Sequence, residues 1–182
     1  MHQHITLLAG YNAWMNTKLY DAAARLSPQD LALDRGAFFG SILGTLNHLV
    51  VADTIWLKRF AVHPSQDPFQ HAALDPVRQL PSPAGLDAVL FTDLAALRQR
   101  RTLLDDAISA WTAALTADDL ATNLDYATTK GVASSKNLAA LLLHFFNHQT
   151  HHRGQTTALL AQAGEDVGVT DLVALIPNAL AD

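Results

Sequence analysis

The sequence contains no cysteine, and it has few charged residues. Asp, Glu, Lys and Arg together make up 16% of its 182 residues, against roughly 25% in an ordinary soluble protein. Without thiols, the chain cannot form disulfides, thiolate zinc sites or iron–sulfur clusters, and it cannot use a cysteine nucleophile. Any bound metal must therefore be held by His, Asp or Glu side chains.

Basic residues and long apolar runs are also scarce. Lys and Arg number 12 against 17 Asp and Glu, for a formal net charge of −5, so the positive surface that binds nucleic acid is not expected. No apolar run approaches the roughly 18 residues of a membrane span, and residues 1–11 lack the pattern of a secretory signal. We therefore expect a cytoplasmic protein that binds neither nucleic acid nor membranes.

What the sequence does have is helix-forming residues. Alanine and leucine supply 61 of the 182 positions, and both rank among the best helix formers. Apolar residues recur at steps of three and four in four segments. These segments predict helix 1 from Ile5 to Leu26, helix 2 from Ser41 to Phe60, helix 3 from Ser82 to Leu115 and helix 4 from Ser135 to Gly164.

Four such helices predict an all-α, single-domain four-helix bundle over residues 1–182. Prolines crowd residues 61–83, which we interpret as a long crossover between helices 2 and 3. Ser82 and Pro83 have the form of a cap and a first helical residue, and they set the predicted start of helix 3. Residues 122–135 predict either a hairpin or an irregular loop.

Histidines cluster in the last helix. A window of nine residues contains His144, His148, His151 and His152. Two of them, His148 and His152, lie on the helix face that otherwise carries Leu or Phe. Because they are four residues apart, their rings lie on one helix face and can bind a single ion. His48, the only histidine inside helix 2, is the natural third ligand. Zinc, nickel and iron(II) all accept imidazole, so the ligand type does not identify the metal.

Each predicted helix also has a polar residue where the periodicity calls for an apolar one. These residues are Asn12, Asp53, Arg101 and Gln155. If their levels match, they line a common cavity, and we hypothesise that Asp53 accepts a hydrogen bond from the second nitrogen of a ligating imidazole. The alternative is that Asp53 pairs with Arg101. For His144 and His151 the alternatives are contacts between helices and hydrogen bonds to the ligands.

Two segments resemble the DinB family of metal-binding four-helix bundles. They are His144-Phe-Phe-Asn-His148-Gln-Thr-His-His152-Arg-Gly-Gln155 and Leu46-Asn-His48-Leu-Val-Val-Ala-Asp53-Thr-Ile-Trp56, and the likeness runs from Tyr11 to Leu172. The resemblance implies a divalent metal held by three histidines, here His48, His148 and His152, in a bundle that often forms homodimers. Characterised relatives include transferases and isomerases that use low-molecular-weight thiols, and the family name refers to a damage-inducible gene.

Three functions follow from these patterns. The first is an enzyme, a metal-dependent hydrolase or thiol transferase, in which the ion activates water or a thiol for reaction with a small-molecule substrate. The second is a non-catalytic, stress-related protein that uses the same site for stability or for metal-responsive binding. The third is a helical interaction module whose histidines are unrelated to metal. The small charged fraction suits an apolar homodimer face.

Overall fold

The computed structural model describes residues 1–63 and 72–179, and it is mostly helical. Its four long helices are α1 (His2–Ala23), α3 (Ile42–Phe60), α5 (Leu94–Ala114) and α7 (Leu138–Gln162). Between them lie the short helices α2 (Pro28–Ala32), α4 (Asp75–Arg78) and α6 (Ala117–Ala121). A 3-10 turn, Leu172–Leu175, follows α7.

The long helices bury their apolar faces against one another. Both α1 and α3 pack against α5 and also against α7. Leu19, Leu46, Leu104 and Phe145, one from each long helix, lie at the centre of the core and are almost fully buried. None of the described helices combines the length and the apolar character needed to cross a membrane.

Side-chain caps fix the boundaries of the two helices that carry the candidate ligands. The Ser41 hydroxyl accepts a hydrogen bond from the Gly44 amide at 3.0 Å and begins α3. The Asn137 side chain accepts one from the Ala140 amide at 3.1 Å and begins α7, three residues later than predicted. After α7, Gly164 adopts a φ of 87°, which is the left-handed conformation of a glycine just past a helix end.

Residues 122–137 contain a hairpin, the first of the two predicted alternatives. Strand β1 (Asn123–Ala127) pairs antiparallel with β2 (Ala133–Asn137). Ser135 lies in β2, opposite Asp125, which is why helix 4 does not begin there. The hairpin brings Tyr126 to α3, where its ring centroid lies 5.5 Å from that of Trp56.

The predicted start of helix 3 at Ser82 is wrong. The helix, α5, begins at Leu94 and is capped by Asp93, whose carboxylate accepts from the Ala96 amide at 2.8 Å. The preceding residues instead lie against α3, because the side-chain oxygen of Asn47 accepts the amides of Leu90 and Phe91 at 2.8 and 3.0 Å. These long-range hydrogen bonds use backbone groups that a helix would need for itself.

The crossover between α3 and α5 includes a short helix among its described residues. This helix is α4; its Val77 is fully buried, and Arg78 donates a hydrogen bond to the Ala61 carbonyl at 2.7 Å. Pro64, Pro68 and His71, which the sequence also places in the crossover, lie outside the described residues.

Candidate metal centre

Three imidazoles from two helices meet at one point. His48 comes from α3, and His148 and His152 come from successive turns of α7. The Nε2 atom of His152 lies 3.2 Å from Nε2 of His48 and 3.2 Å from Nε2 of His148. One nitrogen from each ring can be chosen so that all three lie within 4.8 Å of one another. The structure thus brings together the three residues that the sequence predicted as ligands.

The spacing of these nitrogens suits a shared cation. Zinc binds imidazole nitrogen at about 2.0–2.1 Å, so two nitrogens on a tetrahedral ion are about 3.3 Å apart. The two short separations at His152, 3.2 Å each, are close to that value. These two separations therefore suit one shared ion, and the third ligand atom lies within 4.8 Å of the others.

The hydrogen bonds of the Nδ1 atoms determine which nitrogen of each ring carries the proton. Nδ1 of His48 faces the Leu86 carbonyl oxygen at 2.8 Å, and Nδ1 of His152 faces Oε1 of Gln155 at 2.8 Å. Since each partner is an acceptor, each Nδ1 carries the proton and each neutral ring leaves Nε2 with a lone pair. Two lone pairs that face each other at 3.2 Å repel each other, and a cation between them would relieve this repulsion.

The cluster also resists protonation. Burial, together with the neighbouring His152 and His48, lowers the pKa of His148 from its ordinary 6.5 to about 3. Burial lowers the pKa values of His48 and His152 as well. All three imidazoles are thus neutral near pH 7, which is the form that binds metal.

The aromatic ring of Phe39 packs against the three-histidine cluster. The Phe39 ring stacks on His48 with centroids 3.8 Å apart and meets His152 edge-on at 5.5 Å. The backbone of Phe39 lies against α3 at Gly44. Position 44 requires glycine, because a Cβ atom there would lie only 2.1 Å from the Phe39 carbonyl oxygen. The sequence analysis did not identify Phe39, although the Phe-Phe-Gly-Ser run directly before helix 2 was a usable signal.

The other two histidines of the α7 cluster lie outside the three-histidine group. His151 is exposed; its Nε2 accepts a hydrogen bond from Nε2 of Gln155 at 3.2 Å, and its ring meets that of His152 edge-on with centroids 4.8 Å apart. His144 is also exposed, and its ring centroid lies 6.1 Å from that of His148 and 5.3 Å from that of Trp56. Gln155 itself is the residue that orients a candidate ligand.

The hypothesis that Asp53 orients a ligating imidazole is wrong. Its carboxylate instead accepts a hydrogen bond from Arg101 at 2.5 Å, deep between α3 and α5. Burial raises the pKa of Asp53 to about 6 despite the opposing effect of Arg101. The roles expected of Asp53 are taken by Leu86 and Gln155. The Leu86 carbonyl could not be foreseen, because the sequence placed that residue in a helix.

Three of the four polar residues that interrupt the apolar helix faces belong to one buried network of hydrogen bonds and ion pairs. This network includes residues that the sequence analysis missed. Asn12 donates to Asp105 at 2.9 Å, and Asn16 donates to the same carboxylate at 2.9 Å. Arg101 lies 3.0 Å from Asp105, and Arg153 donates to the Asn12 side-chain oxygen. Gln155 is not part of it. Asp105 and Asn16 lie four residues after Arg101 and Asn12, a spacing that could have revealed them.

A cavity of about 240 Å³ opens beside the histidines. His148 lines it, so it gives access to the candidate metal centre. The other lining residues come from α3, the hairpin, the segment before α5 and α7, and they include Ile55, Trp56, Arg59, Tyr126, Thr128 and His144.

Comparison with known proteins identifies the family of the chain. No curated protein and no solved structure matches the chain. The sequence model of the DinB family matches residues 1–179 of 182, a span that contains all three candidate ligands and the residues that hold them. The chain belongs to the DinB family.

Proposed function

We propose that this chain is a metal-dependent enzyme, a hydrolase or a thiol S-transferase, built as a DinB-type four-helix bundle with one divalent ion on His48, His148 and His152. The observation that carries the proposal is the 3.2 Å separation of the Nε2 atoms of His48 and His152, whose Nδ1 atoms both face oxygen acceptors. A divalent cation here supplies Lewis acidity, which lowers the pKa of a water or thiol ligand.

The protein's own contribution is to hold three neutral rings in place. The Leu86 carbonyl and the Gln155 side chain fix the tautomer and the rotation of two of them, as the outer partners of metal-binding histidines commonly do. Phe39 covers one side of His48, and His148 faces the cavity. Among the described residues the group has three members, the usual number of protein ligands in a catalytic zinc site, whereas structural sites use four.

The first test is elemental analysis of the purified protein after growth with zinc, nickel and iron supplied. We expect one ion per chain in the wild type and almost none in His152→Ala. His144→Ala is the matched control, because His144 lies on the same helix outside the three-histidine group, and it should retain the ion. A wild-type protein free of metal under all three conditions would overturn the proposal in favour of the interaction module.

The second test separates catalysis from a structural role. Wild-type protein is treated with EDTA, and thermal unfolding is followed by circular dichroism while thiol transfer and hydrolysis are assayed on a panel of electrophiles and esters. We expect activity to disappear and the fold to persist. Unfolding on chelation, with no reaction detected on the panel before chelation, would favour a non-catalytic, metal-stabilised protein.

We also propose that the protein is a homodimer. The low charged fraction supports an apolar contact face, and Val169, Val173 and Ile176 near the carboxyl end are each more than half exposed. Light scattering coupled to size exclusion should give twice the 19.7 kDa chain mass. A chain mass of 19.7 kDa at micromolar concentration would contradict the proposal.

A further inference from the structure

Arg59 presents a positive charge inside the cavity beside the candidate metal centre. It lies in the last turn of α3 and is half-buried. Its guanidinium carbon lies 4.7 Å from the ring centroid of Trp56 and 5.1 Å from that of Tyr126. Arg25, Arg78, Arg98 and Arg101 all contact carboxylates. Within residues 1–63 and 72–179, Arg59 has no such partner.

The surroundings of Arg59 favour an anion. Among the described residues that line the cavity, none is Asp or Glu, although the whole chain has a net charge of −5. The hydroxyl-bearing residues Thr128 and Thr129 line the same cavity. A guanidinium whose planar face is occupied by aromatic rings still has its N–H edge available, and that edge matches a carboxylate in a bidentate pair.

The rest of the cavity is apolar and small. Ile55, Trp56 and Leu86 line it together with Ala52, and a volume of about 240 Å³ admits only a small molecule. Aromatic and aliphatic walls around one charged group are typical of a site that recognises a compact apolar body with a single polar handle. Since His148 lines the same cavity, such a ligand would lie next to the three histidines.

We propose that Arg59 binds the carboxylate of a small aromatic acid, whose ring lies among Ile55, Trp56 and Leu86. The proposal rests on the metal-dependent function proposed above and names the substrate class of that site. Arg59 selects the acid and places its body beside His148. A neutral analogue of the same shape would lack the charge-assisted hydrogen bonds.

The test is calorimetric titration of the zinc-loaded, full-length protein with phenylacetate and with phenylacetamide, which have similar shapes and differ in charge. We expect the wild type to bind the acid at least about tenfold more tightly, as one charge-assisted pair requires. In Arg59→Gln the two affinities should become equal within about twofold. In Arg59→Lys the preference should be intermediate, because lysine keeps the charge without the planar fork.

Arg100→Gln is the matched control. Arg100 also lies over an aromatic ring, 5.3 Å from the centroid of Phe91, but outside the cavity. Its substitution should leave the preference for the acid unchanged. A preference equally reduced in both variants would show a general effect of surface charge and overturn the proposal. Circular dichroism of each variant should match the wild type.

A second pair of ligands distinguishes the source of the carboxylate. 3-Mercaptopropionate and 2-mercaptoethanol are aliphatic thiols with and without a carboxylate. If only this pair depends on Arg59, the anion belongs to a thiol cosubstrate and the aromatic acid is wrong. If phenylacetate keeps its advantage in Arg59→Gln, the carboxylate binds elsewhere, for example to the ion, and the proposal fails.

Elemental analysis of the same samples separates this inference from the proposed function. One zinc per chain without an Arg59-dependent preference rejects the carboxylate site and leaves the metal centre standing. A wild type that takes up no zinc yet prefers phenylacetate through Arg59 rejects the metal centre and keeps the carboxylate site.

Discussion

Nδ1 of His48 donates a hydrogen bond to the carbonyl oxygen of Leu86 at 2.8 Å, across 38 residues of chain. Leu86 lies in the non-helical segment before α5, and Asn47, the residue before His48, holds that segment by bonds to Leu90 and Phe91. Two neighbouring residues of α3 therefore act together. Asn47 fixes the segment, and the segment fixes the tautomer of His48.

Asn47→Ala should weaken metal binding although Asn47 is not a ligand. The substitution leaves the Leu90 and Phe91 amides and the Phe91 carbonyl without their partner, so the Leu86 carbonyl loses its fixed position. Loss of an outer partner commonly lowers metal affinity by about 10–100-fold. We also expect a loss of about 1–3 kcal/mol in the free energy of unfolding. Zinc competition with a chromophoric chelator and urea unfolding measure the two effects.

The control for this prediction is Asn147→Ala. Asn147 is exposed on α7, next to His148 in sequence, and its substitution should change neither quantity. If Asn47→Ala binds zinc as tightly as the wild type, the segment before α5 does not support His48.

Gln155→Leu should lower zinc affinity by about 10–100-fold, because the acceptor that orients His152 is lost. Gln155→Glu keeps an acceptor at the same distance from Nδ1 and should bind zinc at least as tightly as the wild type. Gln162→Leu, an exposed change on the same helix, should have no effect. Equal affinities in the leucine and glutamate variants would show that Gln155 does not orient the ring.

Asp53→Ala should destabilise the fold without affecting metal affinity. Its partner Arg101 has only 3% of its side chain exposed, and removing one member of a buried ion pair costs about 3–5 kcal/mol. Here Asp105 also contacts Arg101 at 3.0 Å, so we expect about 3 kcal/mol in urea unfolding. Asp21→Ala removes the exposed pair with Arg98 and should cost less than about 1 kcal/mol. A change in zinc affinity of more than about threefold would contradict this prediction, because it would show that Asp53 does influence the metal centre.

In the metal-free protein, the free energy of unfolding should depend on pH through His148. Its pKa falls from 6.5 to about 3 on folding, so below pH 6.5 the unfolded chain takes up a proton that the folded chain does not. Folding stability is then lost as pH decreases from about 6.5 towards 3.

The variant His148→Gln isolates this effect, because the other titrating groups are the same in both proteins. These include Asp53 and Asp105, whose raised pKa values act in the opposite direction. Urea unfolding in EDTA at pH 7.5, 6 and 5 should show the variant gaining stability relative to the wild type as pH falls. A difference that stays constant over this range would mean that His148 titrates normally.

The spacing of apolar residues was sufficient to predict most of the long helices. Three of the four predicted helices both begin and end within three residues of the observed bounds, because their apolar stripes coincide with caps such as Ser41 and with Gly164. The pairing of His148 with His152 followed from helix geometry alone. The twelve residues before α5 (82–93) were wrongly predicted as helical, since Leu86 and Leu90 continue the apolar spacing of helix 3 while their backbone groups bind elsewhere.

The sequence by itself determined which side chains are available for a metal, and it placed two of them on one helical face, because a missing thiol and a spacing of four residues are properties of the chain. Only the tertiary structure decided what surrounds them. The Leu86 carbonyl, the Phe39 ring and the Arg59 guanidinium reach the site from three different segments of the chain. Their positions relative to the histidines depend on packing and on long-range hydrogen bonds, which the apolar periodicity of the sequence does not specify.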